Sequence, residues 1–124
     1  MKALVVGYGS IGKRHIENLS KLKNMEIIVC TKRKSDKFLK QKNCKIFDSI
    51  HDCIEQKPTF GIITNETRFH IKFAIILANS GIHMLIEKPL SDNLQNTEKL
   101  LKIVQTKKLV LLIGSNLRFH PSIV

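Results

Sequence analysis

The chain has 124 residues and carries 21 lysines and arginines against 10 acids, a formal net charge of +11 at pH 7. A single domain of this length buries enough surface to fold without disulfides or a structural metal, and little room remains for a second domain. The longest apolar runs, FAIILA and LVLLI, are far shorter than the ~20 residues that a membrane span requires. We therefore expect a cytoplasmic protein with no membrane partner.

The basic residues allow two interpretations. An excess of this kind is typical of proteins that bind nucleic acid. The lysines are, however, scattered through every segment, and few aromatic side chains lie among them for base stacking. The composition therefore favours a lysine-rich solvated surface with affinity for phosphorylated small molecules, and no nucleic-acid partner.

The chain contains three cysteines, Cys30, Cys44 and Cys53, without a C-x-x-C spacing. An odd number with no paired spacing argues against a disulfide framework and against a metal or redox site. We expect reduced, mostly buried thiols and no bound metal.

Six short apolar runs along the chain are predicted strands. They cover residues 3–6, 26–30, 46–47, 60–64, 83–87 and 109–114. Continuous apolar runs of this kind are typical of strands that are covered on both faces of a parallel sheet.

Stretches with helical spacing of apolar residues separate the runs. The first predicted helix buries Ile16, Leu19 and Leu22, and the second is capped by Asp48, buries Ile50, Cys53 and Ile54, and ends at Pro58. A third helix covers 67–79 and ends at Gly81, and a fourth is capped by Ser91 and carries Leu94, Leu100, Leu101 and Val104 on one stripe. The alternation predicts the α/β class: a doubly wound parallel sheet with helices on both faces.

The turn after the first strand, VVGYGSIGKRH, has the G-x-G-x-x-G spacing of a dinucleotide-binding loop. Gly7 permits a tight turn, Gly9 lets the backbone approach a pyrophosphate, and Gly12 allows close packing of helix and strand. Ser10 and Ile11, at the N-terminus of the helix, supply free N–H donors to the anion. A purely structural glycine turn is the alternative, but the surrounding strands and helices favour dinucleotide binding.

The end of the second strand bears on which dinucleotide is bound. NAD sites usually place a carboxylate there, about 20 residues beyond the glycines, to bind the ribose hydroxyls. This chain has Thr31, followed by Lys32 and Arg33. A hydroxyl beside cations favours the 2′-phosphate of NADP over NAD, although an ordinary basic loop remains the alternative.

The fifth strand delivers Glu87, Lys88 and Pro89 to the carboxyl edge of the sheet, where ligands bind in doubly wound folds. Together, GYGSIGKRH, EKP and NLRFHP resemble the glucose–fructose oxidoreductase, inositol dehydrogenase and rhizopine-catabolism (Gfo/Idh/MocA) family of NAD(P)-dependent oxidoreductases. The resemblance runs from Ala3 to about Pro121. It implies a Rossmann fold.

The resemblance also implies roles for individual residues. Glu87 would contact the nicotinamide ribose, and Lys88, the expected catalytic residue, would bind substrate and cofactor near the site of hydride transfer. A lysine beside a carbonyl can stabilise developing oxyanion charge or tune proton transfer. A structural ion pair at the strand end is the alternative. Family members hold the bond between Lys88 and Pro89 cis, so we predict a cis bond here.

Further residues follow from the same resemblance. Thr64 and Asn65, after the fourth strand, would lie beside the cofactor, as would Asn116 and Arg118 after the sixth. His15 and His70 are expected to pack or cap helices rather than to act as catalysts.

Family members follow this domain with a second α/β domain that binds substrate, which this chain lacks. We therefore expect residues 1–124 to be the NAD(P)-binding Rossmann domain of a longer enzyme that moves hydride to or from a sugar, sugar nucleotide or cyclitol. The resemblance allows a homo-oligomer for the full-length protein. The alternative is a stand-alone dinucleotide-binding module without catalysis, a sensor or a partner subunit.

Overall fold

The computed structural model describes residues 1–115 and residue 122. The strands are β1 (Lys2–Val6), β2 (Glu26–Cys30), β3 (Lys45–Phe47), β4 (Phe60–Ile63), β5 (His83–Glu87) and β6 (Leu111–Gly114). The helices are α1 (Ser10–Ser20), α2 (Lys37–Gln41), α3 (Ile50–Glu55), α4 (His70–Asn79) and α5 (Thr97–Thr106), and a 3-10 turn (Thr67–Phe69) precedes α4. Two predicted cofactor residues, Asn116 and Arg118, lie outside the described residues.

The six strands form one sheet in the order β3-β2-β1-β4-β5-β6, and every neighbouring pair is parallel. The chain runs outward from β1 to β3 and then crosses back to β4 on the other side of β1. This reversal opens a crevice at the carboxyl ends of β1 and β4, where ligands bind in such sheets. The predicted doubly wound parallel sheet is confirmed.

The hydrophobic core has two layers, one on each face of the sheet. Along β1, Leu4 and Val6 point into the layer shared with α3, α4 and α5, whereas Ala3 and Val5 point into the layer shared with α1 and α2. Successive side chains of a strand point to opposite faces, so one short apolar run supplies both layers. Helices therefore cover both faces, as predicted.

Three predicted helix boundaries are wrong. The helix predicted to be capped by Ser91 begins only at Thr97, and Leu94 is 86% exposed. In this segment Asn93 accepts a hydrogen bond from the backbone N–H of Gln95, one of the local bonds by which such residues compete with helix formation. Of the predicted stripe, Leu100 and Val104 are buried and Leu101 is exposed.

The other two differences are smaller. The N-cap of α3 is Ser49 instead of Asp48, one residue later than predicted. Leu22 lies beyond the end of α1 and is exposed. Gly81 has a φ of +74°, the left-handed conformation expected just after a helix that ends at Asn79.

The three cysteines are free thiols, with Cys53 buried and the other two half-buried. Burial raises the pKa of the Cys44 thiol to about 11, so this side chain is a neutral thiol at ordinary pH. Within the described part of the chain, no helix is long and apolar enough to cross a membrane.

Candidate functional site: a cofactor crevice at the carboxyl edge

The glycine loop joins β1 to α1, and other atoms pack closely against two of its three glycines. Gly7 has a φ of +100°, and a Cβ atom there would lie 2.8 Å from the backbone of Asn65. A Cβ on Gly12 would lie 2.5 Å from the carbonyl oxygen of Gly7 and 3.0 Å from Oγ1 of Thr64. The two contacts with backbone atoms, at 2.8 and 2.5 Å, are too short for a side chain, so these glycines allow the loop, the helix and the end of β4 to touch.

Gly9 is different, because a Cβ there would meet nothing within 4 Å. It is the N-cap of α1, no side chain caps the helix, and Ser10 and Ile11 are exposed beside it. The first N–H groups of α1 therefore face open space with the positive end of the helix dipole behind them. Such a helix terminus suits a pyrophosphate.

The residues after β4 hold the glycine loop from the side. The Thr64 hydroxyl donates to the carbonyl oxygens of Val6 and Gly7 at 2.9 and 3.3 Å. Asn65 packs against Gly7, and its buried side-chain oxygen has no hydrogen-bond partner in the described structure. Since a buried polar atom normally has a partner, this oxygen is suited to accept a hydrogen bond from a ligand in the crevice.

The end of β2 places cations around an aromatic side chain of the glycine loop. The guanidinium carbon of Arg33 lies 5.6 Å from the ring centre of Tyr8, and Nζ of Lys13 lies 5.5 Å from it. The hydroxyl of Thr31 accepts a hydrogen bond from the N–H of Arg33 at 3.3 Å. Lys32 is exposed on the same loop. The predicted residues of this strand end are therefore brought together, with Tyr8 and Lys13 added by the tertiary structure.

One acid, Asp36, stands on this loop, and its carboxylate is already occupied. Its Oδ1 accepts from the Tyr8 hydroxyl at 2.8 Å and from the N–H of Leu39 at 3.2 Å. The bond from Tyr8 lowers the pKa of Asp36, while burial and the same carboxylate raise the pKa of Tyr8 to about 12. Asp36 thus acts as the N-cap of α2, a short helix that the sequence analysis missed although Asp three residues before a buried leucine is an N-cap pattern.

At the end of β5, Glu87 turns toward α1. Its Oε1 accepts a hydrogen bond from Nε2 of His15 at 2.6 Å, and both side chains are about one-fifth exposed, at 22% and 23%. Gly114 is the partner of Glu87 in β6, and a Cβ there would lie 2.9 Å from Oε2 of Glu87. Glu87 is thus enclosed by α1 and β6, and among the described residues its side-chain hydrogen bond is with His15 rather than with Lys88.

Lys88 is exposed at the turn after β5. Among the described residues its ammonium group makes no hydrogen bond or ion pair, so it is free to reach a ligand. The bond from Lys88 to Pro89 is cis, as predicted.

His70, at the start of α4, lies just behind this turn and is 2% exposed. Its Nδ1 is 3.0 Å from the carbonyl oxygen of Pro89, and its Nε2 is 2.8 Å from that of Asn65. His70 therefore connects the residues after β4 to those after β5.

A cavity of about 450 Å³ opens beside α1 on the face of β5 and β6. Its walls include Ile11, His15, Leu85, Glu87 and Leu112. These walls combine apolar side chains with polar and charged ones, among them Arg14 and Asn18. The crevice thus offers a glycine loop and a helix N-terminus at β1, cations at β2 and a lysine at β5, a set of groups that suits a dinucleotide.

Comparison with known proteins agrees with this geometry. Residues 1–115 match the model of the oxidoreductase family with an NAD-binding Rossmann fold, Gfo/Idh/MocA. The UDP-N-acetylglucosamine 3-dehydrogenase of Acidithiobacillus ferrooxidans is 26% identical over 99% of this chain and 39% of its own length, and its structure superposes with a TM-score of 0.85. The myo-inositol 2-dehydrogenase of Thermotoga maritima is 27% identical over 96% of this chain and 37% of its own.

The structure of GenD2 from gentamicin A biosynthesis, in complex with NAD, shares the fold with a TM-score of 0.85 at 19% identity, over 98% of this chain and 36% of that one. The chain spans less than half the length of each of these relatives. Its sequence and fold show that it belongs to the Gfo/Idh/MocA family of oxidoreductases, as the NAD-binding Rossmann domain.

Proposed function

We propose that residues 1–124 are the cofactor-binding part of a longer oxidoreductase that prefers NADP(H) and acts on a hydroxylated carbon of a sugar, sugar nucleotide or cyclitol. One observation carries the proposal: the glycine loop after β1 and the Lys88 turn after β5 open onto the same edge of the sheet, on either side of Thr64 and Asn65 after β4.

Each part of the crevice has a proposed role in holding the cofactor. Gly7, Gly9 and Gly12 shape the loop, and the N–H groups of Ser10 and Ile11 bind the pyrophosphate. The residues proposed for the nicotinamide half are Thr64, Asn65 and Glu87, together with Asn116 and Arg118 outside the described part. When bound, the nicotinamide ring carries the hydride that leaves or enters the substrate carbon.

The preference for NADP rests on the end of β2. A free carboxylate there would bind the ribose hydroxyls and repel a 2′-phosphate. Instead Thr31 offers a hydroxyl, Lys32 and Arg33 offer positive charge, and the nearby Asp36 is engaged by Tyr8 and Leu39. Hydrogen bonds between these groups and a phosphate are charge-assisted, and such bonds are the stronger kind.

Calorimetric titration of the chain with NADPH and with NADH tests the preference. We expect NADPH to bind more tightly by about 1–3 kcal/mol, the range for hydrogen bonds to charged groups. Arg33→Ala should remove much of that difference and leave NADH affinity unchanged. The matched control is Lys34→Ala, because Lys34 is a cation of the same loop that pairs with Asp48 at 3.6 Å and is 80% exposed. Equal affinities for the two cofactors would disprove the NADP preference.

The substrate class is proposed from the named activities of two relatives, which act on UDP-N-acetylglucosamine and on myo-inositol. Both compounds present a secondary alcohol on a six-membered ring. The proposed role of Lys88, which is exposed and makes no hydrogen bond or ion pair with the described residues, is to hold the reacting oxygen and its proton. The sequence of the gene beyond codon 124 would distinguish this enzyme from a stand-alone module, because only the enzyme requires a substrate domain.

A further inference from the structure

We propose that His15 and His70 are positioning residues for Lys88: they hold the residues on either side of it from helices that lie on opposite faces of the sheet. The inference rests on the proposed function, since it takes Lys88 to be the catalytic residue. Lys88 itself is exposed and makes no hydrogen bond or ion pair with the described residues. Its position in the crevice therefore depends on how firmly its two neighbours are held.

His15 holds Glu87 from α1. The two side chains come from positions 72 residues apart and meet at 2.6 Å, so the contact connects the helix of the glycine loop to the end of β5. Glu87 has little freedom to move away, because Gly114 of β6 lies against its carboxylate. A charge-assisted hydrogen bond of this length is stronger than a neutral one. The contact fixes the residue before Lys88 relative to the pyrophosphate loop.

His70 holds Pro89 from α4, on the other face. Its ring lies between the carbonyl oxygens of Pro89 and Asn65, and it is almost fully buried. A neutral imidazole carries one N–H, so it donates to the Pro89 carbonyl in the Nδ1–H tautomer and to the Asn65 carbonyl in the Nε2–H tautomer, and an imidazolium donates to both. Because both ring nitrogens face the backbone, neither is available to a substrate, and the ring can only position its neighbours.

Helix α1 packs in one core layer and α4 in the other. The contacts of His15 with Glu87 and of His70 with Pro89 therefore hold the Lys88 turn from opposite faces of the sheet. Loss of either one would let the backbone at Lys88 shift on that side. A misplacement of about 1 Å in a reacting group can lower the rate by ~10²-fold. We therefore expect the histidines to matter for turnover more than for cofactor affinity.

The test measures kcat, KM and NADPH affinity for the full-length enzyme with His15→Ala and with His70→Ala. We expect kcat to fall between about 10-fold and 10²-fold in each. Each variant should also weaken NADPH binding, but by less than it lowers kcat, because each loses the contact with a proposed cofactor residue, Glu87 in His15→Ala and Asn65 in His70→Ala. The control is His51→Ala, since His51 is exposed on α3, which packs mainly against β2 and β3 rather than against β5.

Conservative variants separate positioning from a general loss of stability. His70→Asn and His15→Gln keep a hydrogen-bond donor at these positions and should recover part of kcat, whether or not the alanine variants fold well. Wild-type kcat in folded His15→Ala and His70→Ala, together with a large loss in Lys88→Ala, would overturn the inference and leave the proposed function standing. Wild-type turnover in Lys88→Ala would overturn both.

Discussion

The two halves of the sheet differ in how far their side chains are exposed to solvent. In the half with β1 to β3, residues Ala3 to Val6 of β1 are at most 2% exposed, and the loop after β2 is closed by the bond from Tyr8 to Asp36. In the half with β4 to β6, Lys88 is exposed and two residues of β6, Leu112 and Ile113, are 56% and 47% exposed. The difference teaches that side chains of the first half already contact one another at the carboxyl edge, whereas in the second half Lys88 and part of β6 are exposed.

Replacement of Lys88 tests the half of the sheet with β4 to β6 and should have the largest effect on activity. In the full-length enzyme we expect Lys88→Ala to lower kcat/KM by at least ~10²-fold, the usual cost of a lost acid–base group, and to leave NADPH affinity nearly unchanged. The residues proposed to bind the adenosine and the pyrophosphate are untouched by this change. Steady-state kinetics and calorimetric titration of the same preparation measure the two effects.

The present chain, by contrast, should bind NADPH without oxidising it in the presence of keto-sugars, because hydride transfer needs a substrate held ~3–3.5 Å from the nicotinamide in a water-poor site. Turnover by this chain would show that the nicotinamide half is complete by itself.

Substitutions of Gly12 and Gly9 test the half of the sheet with β1 to β3. Alanine at these two positions should change the stability of the protein differently. Gly12→Ala places a Cβ 2.5 Å from a backbone carbonyl oxygen, which no side-chain rotation can relieve. Overpacking of this kind costs about 1–3 kcal/mol, more than the ~0.5–1 kcal/mol that alanine gains over glycine within a helix. We therefore expect a net loss of stability and of cofactor binding.

Gly9→Ala meets no atom within 4 Å, and its φ of −94° is allowed for alanine. Its stability should be unchanged or slightly higher, while cofactor affinity falls because the new methyl group occupies the path of the pyrophosphate. Urea unfolding measures the stability of both variants, and titration with NADPH measures their cofactor affinity. A stable Gly12→Ala variant with normal affinity would contradict the close packing of the loop.

The bond between Tyr8 and Asp36 should give the smallest effect, seen best as a dependence on pH. Folding lowers the pKa of Asp36 and raises that of Tyr8 to about 12. The bond therefore contributes stability above the usual carboxyl pKa of about 4 and below the usual phenol pKa of about 10. That contribution is lost as the pH falls through the lowered pKa of Asp36, and again as it rises through about 12.

Tyr8→Phe should be less stable than the wild type in the window between those limits. The difference between the two proteins should shrink at either end, as measured by chemical denaturation from pH 3 to 11. A constant difference across that range would mean that the hydroxyl and the carboxylate are not coupled.

Much of the molecule could be predicted from local patterns. Apolar runs bounded by turn residues located all six strands, and the glycine spacing located the loop that joins β1 to α1. Helix starts were harder to predict, as at Ser91, where a run of polar residues forms local side-chain to backbone bonds before α5 begins at Thr97. Such bonds compete with the helix on nearly equal terms, so propensity alone does not place the boundary.

The sequence by itself determined the layers, the glycine loop and the glutamate–lysine–proline turn, because each follows from a pattern within a few residues. Only the tertiary structure decided which side chains meet across the crevice. Strand order and register place Glu87 beside Gly114, and the helix over β1 brings His15 to the same carboxylate from 72 residues away. Contacts between residues so far apart along the chain are set by the packing of whole strands and helices, so they cannot be predicted from a local sequence pattern.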